Sequence, residues 1–269
     1  MGKIVLVPTD FSDVCYDAIC YGAQLAVKLK YSLAVLHVID KKSDVVLKAE
    51  EQLADIGKKI SEKYSVEVVP IAKKGNIFTA IGKVAEELGA GIVVLGTHGK
   101  VGLQQKISGS YAKKVVTSSP VPVIVIQKGV QFEGFKNIIF PVSENTEVRQ
   151  KVAWAQMIAE KGKTKVHIFQ LYEPLKENQV KVKVIVKQIM KDLEKSGIAC
   201  AFAEAVKGIT FGDQLLDYSV KNKADLVSIM TVSRDITYIF NRYTENMIFN
   251  KFKIPVMCVN PIATYSESR

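Results

Sequence analysis

The sequence predicts an α/β protein with two tandem open sheets, each built from five parallel strands flanked by helices. Short apolar runs rich in β-branched residues alternate with amphipathic helical segments, which is typical of a parallel sheet covered on both faces. The whole pattern occurs a second time about 133 residues later. A chain of 269 residues also has room for two domains. We therefore expect one domain over residues 1–128 and a second over residues 136–262.

The first copy begins with a strand over residues 3–7, which Pro8 ends. Ser12 is a plausible N-cap for the next segment, because apolar residues recur at helical spacing over residues 14–29. A second strand is predicted over residues 33–38, and a long amphipathic helix follows it.

The rest of the first copy continues the same alternation. A third strand is predicted over residues 66–72, after which Gly75-Asn76 turns the chain and caps a helix over residues 77–88. The fourth strand covers residues 92–95, and a glycine-bearing loop and a helix lead to the fifth strand over residues 122–126. Strands joined by helices in this order imply right-handed crossovers and a parallel sheet.

The second copy follows a predicted linker over residues 128–136. Residues 137–141 repeat the pattern of residues 4–8, including the terminal proline. Four coincident strands and one matching glycine indicate that a whole domain has been duplicated. The other matches are 166–171 with 33–38, Gly208 with Gly75, 226–229 with 92–95, and 255–259 with 122–126.

Composition excludes several classes of protein. The formal net charge of +10 suits a protein that meets anionic partners, but the lysines are spread along the chain, which favours solvated faces over a nucleic-acid site. The four cysteines and three histidines are scattered, so neither a zinc site nor a disulfide framework is expected. The N-terminus does not read as a signal peptide, and no apolar run reaches the roughly 18 residues of a membrane span. We expect a cytoplasmic protein that does not contact a membrane.

The most informative stretch is the loop after the fourth strand, which contains Gly96, His98 and Gly99 and ends at Gly109-Ser110. The sequence pattern here predicts a strand, then a glycine-bearing loop, then a helix. Glycines let the backbone approach a phosphate, and a helix N-terminus offers unpaired N–H groups and a positive dipole end to an anion. The alternative is that these glycines only make tight turns.

The second copy keeps the apolar strand positions but loses this chemistry. Because the loop glycines are replaced by residues with side chains, we expect that the fold itself does not require them and that they serve a ligand. The replacements are Asp10 by Ser143, Gly96 by Met230, Gly99 by Ser233, and Gly109-Ser110 by Arg242-Tyr243.

Ligands of open parallel sheets bind at the carboxyl ends of the strands, where the strand order reverses. If the first and fourth strands are neighbours there, Pro8-Thr9-Asp10 faces the glycine loop. Asp10 could then accept hydrogen bonds from a ribose, and Val38 could lie against an adenine. Helix initiation by Asp10, core packing by Val38 and simple exposure of His98 remain alternatives. The loop groups expected near the phosphates are its N–H groups, Ser110, and His98, Lys100 or Lys106.

These residues resemble the tandem universal stress proteins. The nucleotide-binding signature of that family is Gly, two residues, Gly, nine residues, Gly, then Ser or Thr, and Gly96, Gly99, Gly109 and Ser110 match every position. The segment Pro8-Thr9-Asp10-Phe11-Ser12 resembles its first-strand signature. The resemblance implies an ATP-binding subfamily and an adenine-nucleotide alpha hydrolase-like, Rossmann-like fold.

The resemblance also implies roles for particular residues. Thr9, Asp10 and Val38 would surround the adenosine, and the glycine loop would surround the phosphates. Ala112 stands where family members often have a second hydroxyl residue, so ADP or AMP is an alternative to ATP. The second half departs from all four signature positions, and we expect one nucleotide site, in the N-terminal domain. Family resemblance further suggests pseudo-two-fold packing of the halves, with residues 123–126 and 256–259 near the contact.

Three functions follow, in order of preference. The first is a regulatory or stress-response protein that binds ATP or another adenine nucleotide. The second is a slow ATPase or nucleotidyl-transfer enzyme, although the loop carries no Walker lysine and no second carboxylate cluster. Asp10 and Asp13 could hold Mg²⁺, but a helix-start role for Asp13 is favoured. The third is a ligand-free scaffold for nucleic acid or an acidic protein, and further self-association is left open.

Overall fold

The computed structural model describes residues 3–40, 46–97, 110–231 and 237–261. The chain divides into two compact units. Unit 1 contains Met1–Gly134 together with Glu245–Cys258, and unit 2 contains Phe135–Thr244 together with Val259–Arg269. In the described part of the chain, no helix has the length and apolar character needed to cross a membrane.

In the described part of residues 3–127, strands and helices of unit 1 alternate. Their bounds are β1 Ile4–Pro8, α1 Asp13–Leu29, β2 Ser32–Ile39, α2 Val46–Tyr64, β3 Val68–Lys74, α3 Ile77–Glu87, β4 Ile92–Thr97, α4 Ser110–Ser118 and β5 Val123–Gln127. The predicted start of the first helix is confirmed, because Ser12 is its N-cap residue in extended backbone conformation.

The second copy repeats this alternation, with a 3-10 helix over Thr146–Arg149 after its first strand. Its other elements are β6 Asn137–Val142, α5 Gln150–Ile158, β7 Lys165–Gln170, α6 Lys176–Lys195, β8 Ala199–Glu204, α7 Phe211–Lys221, β9 Leu226–Met230, α8 Thr237–Ile248 and β10 Val256–Val259.

The strand order explains where a ligand site should form. In unit 1 the order is β3-β2-β1-β4-β5-β10, and β1 to β5 are parallel. The chain fills one side of β1 with β2 and β3, then returns to place β4 on the other side. The order therefore reverses between β1 and β4, where Val5 pairs with Ile92. The expectation that the first and fourth strands are neighbours is confirmed.

Unit 2 repeats this arrangement with the order β9-β6-β7-β8, all parallel. The topological switch point of unit 2, where its strand order reverses, lies between β6 and β9. The last strand, β10, pairs antiparallel with β5, with Val256 opposite Val125. The predicted α/β class with mainly parallel strands is confirmed, and the direction of β10 departs from a purely parallel arrangement.

The core of each unit lies between its sheet and its helices. The middle residues of β1, β4 and β5 are fully buried or nearly so, which agrees with their unbroken apolar sequences. Helix α1 buries a face that includes Ala18 and Leu25 against the sheet. Burial of that face positions the helix start beside the carboxyl ends of β1 and β4.

Candidate functional site

The chain makes a tight turn at the carboxyl end of β1. Buried Thr9 extends the sheet ladder, because its N–H donates to the carbonyl oxygen of Leu36 at 2.8 Å. Its Oγ1 accepts from the N–H of Phe11 at 3.0 Å, and Oδ1 of Asp10 accepts from the N–H of Ser12 at 2.9 Å. Phe11 has a φ of 67°, in the left-handed region. Side-chain acceptors thus stabilise the turn that directs the chain into α1.

Asp10 is an exposed carboxylate at this turn. Partial burial acts to raise the pKa of Asp10, but hydrogen bonds from Ser12 and Cys15 outweigh it and hold the pKa below its ordinary value of 3.8. Burial raises the pKa of the Cys15 thiol to about 11, so Cys15 stays protonated. Asp10 is therefore ionised at neutral pH and acts only as a hydrogen-bond acceptor.

Unit 2 makes an equivalent side-chain hydrogen bond without a carboxylate, although its backbone differs, because Glu144, the counterpart of Phe11, is not in the left-handed region. Oγ of Ser143, the counterpart of Asp10, accepts from the N–H of Asn145 at 3.4 Å, just as Asp10 accepts from Ser12. The Asn145 side chain then accepts from the N–H of Glu147 and begins the 3-10 helix. A hydroxyl can therefore fill the helix-initiating role at this position. Helix initiation explains an acceptor at position 10, but it does not require a negative charge.

The end of β2 lies beside this turn. Val38 is half-buried and pairs with Lys73 of β3. One residue earlier, Nδ1 of His37 lies 2.8 Å from the carbonyl oxygen of Thr9, and the His37 ring lies 4.4 Å from the ring of Phe11. A carbonyl oxygen only accepts, so Nδ1 of His37 carries a proton and donates it to Thr9.

His37 and Phe11 are residues of this region that the sequence did not single out. A lone histidine inside an apolar strand is an inconspicuous signal. Its place one residue before Val38, at the carboxyl end of a strand next to β1, could have identified it.

Gly96 lies near the end of β4, against helix α1. A Cβ atom on Gly96 would lie 2.6 Å from the carbonyl oxygen of Val14 and 3.3 Å from the Cβ of Ala18. Neither group can move without shifting the helix, so the close packing of α1 on β4 requires glycine here. The expectation that the fold itself does not require the loop glycines is wrong for Gly96.

Unit 2 packs differently at the matching place. Met230 replaces Gly96, and Lys151 occupies the place of Ala18 in the repeat. Lys151 is 1% exposed, and its Nζ donates to the carbonyl oxygens of Pro141 at 2.8 Å and Ser228 at 3.0 Å. The ammonium thus bridges β6 and β9, the two strands at the switch point of unit 2.

The electrostatics of Lys151 reflect that burial. Its Nζ lies 4.2 Å from the centre of the Phe140 ring, which favours a cation. Burial nevertheless lowers the pKa of Lys151 from 10.5 to about 7. The switch point of unit 2 therefore contains a lysine from its own first helix, where unit 1 has a small residue beside a glycine.

Several predicted site residues lie outside the described residues, namely His98, Gly99 and Gly109, with Lys100 and Lys106. The two ends of their loop are described, because β4 ends at Thr97 and α4 begins at Ser110. Ala112 is buried in that helix. The structure thus brings Pro8, Thr9, Asp10, Val38 and Gly96 to one end of the sheet, together with the start of α4.

Asp13, which with Asp10 is a less favoured candidate magnesium ligand, forms an ion pair. Oδ2 of Asp13 accepts from Nζ of Lys128 at 2.6 Å, in an exposed ion pair at the start of α1. Within the described ranges, no group of three His, Cys, Asp or Glu side chains is placed to hold a metal ion.

Comparison with known proteins places the chain in a family. A profile of the Universal stress protein family matches residues 1–127. Universal stress protein MJ0531 of Methanocaldococcus jannaschii is 30% identical over 140 residues, which are 47% of this chain and 82% of that protein. Universal stress protein MJ0577 of the same organism is 26% identical over 156 residues, covering 48% of this chain and 96% of that protein.

A solved structure extends the likeness in fold to almost the whole chain. The crystal structure of a universal stress protein from Archaeoglobus fulgidus DSM 4304 has a TM-score of 0.79 and 19% identity, and the match covers 97% of this chain and 100% of that one. At that identity the match supports the fold, while the sequence match to MJ0531 supports the family. The chain therefore belongs to the universal stress protein family.

Proposed function

We propose that this protein binds an adenine nucleotide, ATP or alternatively ADP or AMP, in a single site within residues 1–128, and that nucleotide occupancy regulates its interactions. The site lies at the carboxyl ends of β1, β2 and β4. Asp10 and Thr9 contact the ribose, Val38 contacts the adenine, and the loop that ends at Gly109-Ser110 contacts the phosphates.

The comparison of Asp10 with Ser143 carries this proposal. Both side chains accept from the N–H two residues further on, so that hydrogen bond does not need an ionised carboxylate. A carboxylate that accepts hydrogen bonds at a topological switch point is suited to the paired hydroxyls of a ribose. Family membership and the complete glycine signature support the same ligand.

The second half is proposed to lack a nucleotide site. Ser143 offers no charge, and Lys151 bridges the two strands at the switch point. Tyr243 stands where the signature has Ser110, and its ring stacks on Phe211 with centroids 5.8 Å apart. Side chains of unit 2 thus replace the small residues that a phosphate loop needs.

Isothermal titration of the full chain, freed of copurified nucleotide, with ATP, ADP and AMP tests the proposal. We expect one site per chain for the wild type. We expect binding to be lost in Gly99→Val, Gly109→Val, because side chains would enter the space needed by the phosphates. Ser143→Ala is the matched control, since it alters the equivalent turn in unit 2 and should leave the affinity unchanged.

The proposal fails if the wild type binds none of the three nucleotides at millimolar concentration, or if the double glycine variant binds with wild-type affinity. Mass spectrometry of ligand released from the freshly purified protein identifies which nucleotide it carries. Two ligands bound per chain would contradict the assignment of a single site.

A further inference from the structure

The outer edge of β8 differs sharply from the corresponding edge of unit 1. In unit 1 the edge strand is β3, and in unit 2 it is β8, which is last in the strand order. Pairing registers align these strands residue by residue: Val35 pairs with Pro70, and the repeat-equivalent Ile168 pairs with Phe202. Phe202 therefore stands where β3 has Pro70.

Backbone hydrogen bonds fix which residues of β8 face outward. The N–H of Ala205 donates to the carbonyl oxygen of Gln170 on β7, so Ala205 faces β7. Backbone polar groups alternate in direction along a strand. Cys200, Phe202 and Glu204 therefore direct their N–H and C=O groups away from β7. Among the described residues, no strand pairs with them.

The same reasoning shows that the edge of β3 is protected. The N–H of Gly75 donates to the carbonyl oxygen of Ile39, so Gly75 faces β2. Pro70 lies an odd number of positions away and therefore faces outward, where it has no N–H to offer to another strand. Lys73 and Lys74 add charge at the end of this strand. Proline and lysine on an edge are the usual means by which proteins prevent strand addition.

Strand β8 has neither form of protection. Its sequence, Ala-Cys-Ala-Phe-Ala-Glu, contains no proline and no basic residue, and the Phe202 side chain is 48% exposed. The carboxylate of Glu204 already accepts from Nε2 of Gln170 at 3.0 Å within unit 2. An accessible apolar edge with free backbone groups is a template for another strand.

We propose that β8 pairs with β8 of a second copy of this chain, antiparallel about a two-fold axis at Phe202. In that register Phe202 lies opposite its own copy, and Cys200 lies opposite Glu204, so every outward N–H and C=O finds a partner. No like charges meet, because each Glu204 faces a cysteine.

The protected edge of β3 also argues for a second copy of β8 as the occupant. Pairing of β8 with β3 of another copy would join chains head to tail, into rings or open filaments. Because Pro70 opposes this, β8 of one copy is left to pair with β8 of another, and the assembly closes as a dimer. Exposed apolar side chains just beyond the strand, Val206 and Ile209, are available to extend the contact.

Analytical ultracentrifugation of the full chain over a range of concentrations tests this dimer. We expect a reversible monomer–dimer equilibrium for the wild type. Phe202→Pro removes the outward N–H while keeping the β7 ladder, as Pro70 does in unit 1. Phe202→Lys keeps the N–H but brings two ammonium groups together at the axis. Because each change acts twice across the axis, we expect the dissociation constant to rise by about a hundredfold or more.

Val184→Lys is the matched control, since it adds the same charge at an exposed apolar position on α6, away from the β8 backbone. It should leave the dimer intact. Hydrogen exchange provides a second measurement: the amides of residues 199–204 should become protected as the wild-type concentration rises. Thermal melts followed by circular dichroism verify that each variant folds. If Phe202→Pro does not fold, the effect of Phe202→Lys on the dissociation constant tests the dimer. A wild type that stays monomeric at high concentration, or a dimer that survives Phe202→Lys, overturns the proposal.

Discussion

Gly96 packs directly on the carbonyl oxygen of Val14, with no room between them for a methyl group. Gly96→Ala would place its Cβ 2.6 Å from that oxygen, so α1 or β4 must shift. We expect a loss of about 1–3 kcal/mol in the free energy of unfolding, as for other overpacked sites. Urea denaturation of the purified variant measures it.

Gly57→Ala is the contrasting control. Gly57 lies inside α2, and a Cβ there would make an ordinary 3.6 Å contact with Cγ1 of Val68. Alanine is the better helix former, so this variant should gain up to about 1 kcal/mol. Equal stability of Gly96→Ala and the wild type would contradict this account, because it would mean that α1 can shift at little cost in free energy. Because of its packing role, Gly96 should not be mutated to test ligand binding.

A pair of substitutions separates the two roles of Asp10. Asp10→Ser imports the residue that accepts the equivalent hydrogen bond in unit 2, whereas Asp10→Ala removes the acceptor. We expect Asp10→Ala to lose about 1 kcal/mol of unfolding free energy and Asp10→Ser to lose much less. Thermal and urea unfolding without nucleotide measure this difference.

Nucleotide affinity should follow the charge rather than the turn. If Asp10 accepts hydrogen bonds from the ribose, both variants should bind about tenfold or more weakly, because a charge-assisted hydrogen bond is worth about 1.5–3 kcal/mol. Isothermal titration of the two variants against the wild type measures this. Wild-type affinity in Asp10→Ser would mean that Asp10 serves only the helix start.

The sequence predicted the strands and the place of the candidate site because both depend on local pattern. The apolar runs of β1 and β6 mark strands, although β6 continues through Pro141 to Val142, and the alternation of strands with helices indicates a parallel sheet. The role of Gly96 could not be predicted, because it depends on how closely α1 approaches β4. The burial of Lys151 could not be predicted either, since a lysine in a short helix is normally solvated.

The apolar pattern of β10 does not by itself reveal the antiparallel direction of this strand, although family resemblance suggests that residues 256–259 lie near residues 123–126. The run Val256–Val259 is buried on both faces, and such a run looks the same in a parallel or an antiparallel pair. In the turn before β10, the side chain of Asn250 is bonded to the backbone on both sides. Nδ2 of Asn250 donates to the carbonyl oxygens of Met247 and Ile254, and Oδ1 accepts from the N–H of Ile254.

Asn250→Ala should therefore destabilise the protein markedly. The buried amide makes three hydrogen bonds to the backbone. Its removal takes these bonds from the N–H and C=O of Ile254, while the carbonyl oxygen of Met247 still accepts from the N–H of residue 250 at 3.2 Å. We expect a loss of about 2–3 kcal/mol, in proportion to the cost of buried unsatisfied groups. Asn222→Ala, which removes a half-buried amide bonded only to the carbonyl oxygen of Tyr218, is the control and should lose less. Urea denaturation compares the two, and equal losses would contradict this account.

Lys151 should make the stability of the protein depend on pH near neutrality. The unfolded chain keeps the Lys151 proton up to its ordinary pKa of 10.5, whereas burial lowers the pKa in the folded chain to about 7. Between these values the unfolded state binds more protons, so the free energy of unfolding rises with pH, by up to about 1.4 kcal/mol per pH unit. Below about pH 7 both states are protonated, and the dependence vanishes.

The difference between the wild type and Lys151→Met isolates this contribution, because other titrating groups are common to both proteins. In urea denaturation from about pH 6 to about pH 8.5, the unfolding free energy of the wild type relative to the variant should be flat at first and then climb. That range stays below the alkaline region in which Cys15 and Cys200, whose pKa values burial raises to about 11, act in the opposite direction. Lys187→Met, at an exposed position on α6, should show no such climb. A flat difference for Lys151→Met would mean that the two carbonyl oxygens and the Phe140 ring hold the ammonium charged despite its burial.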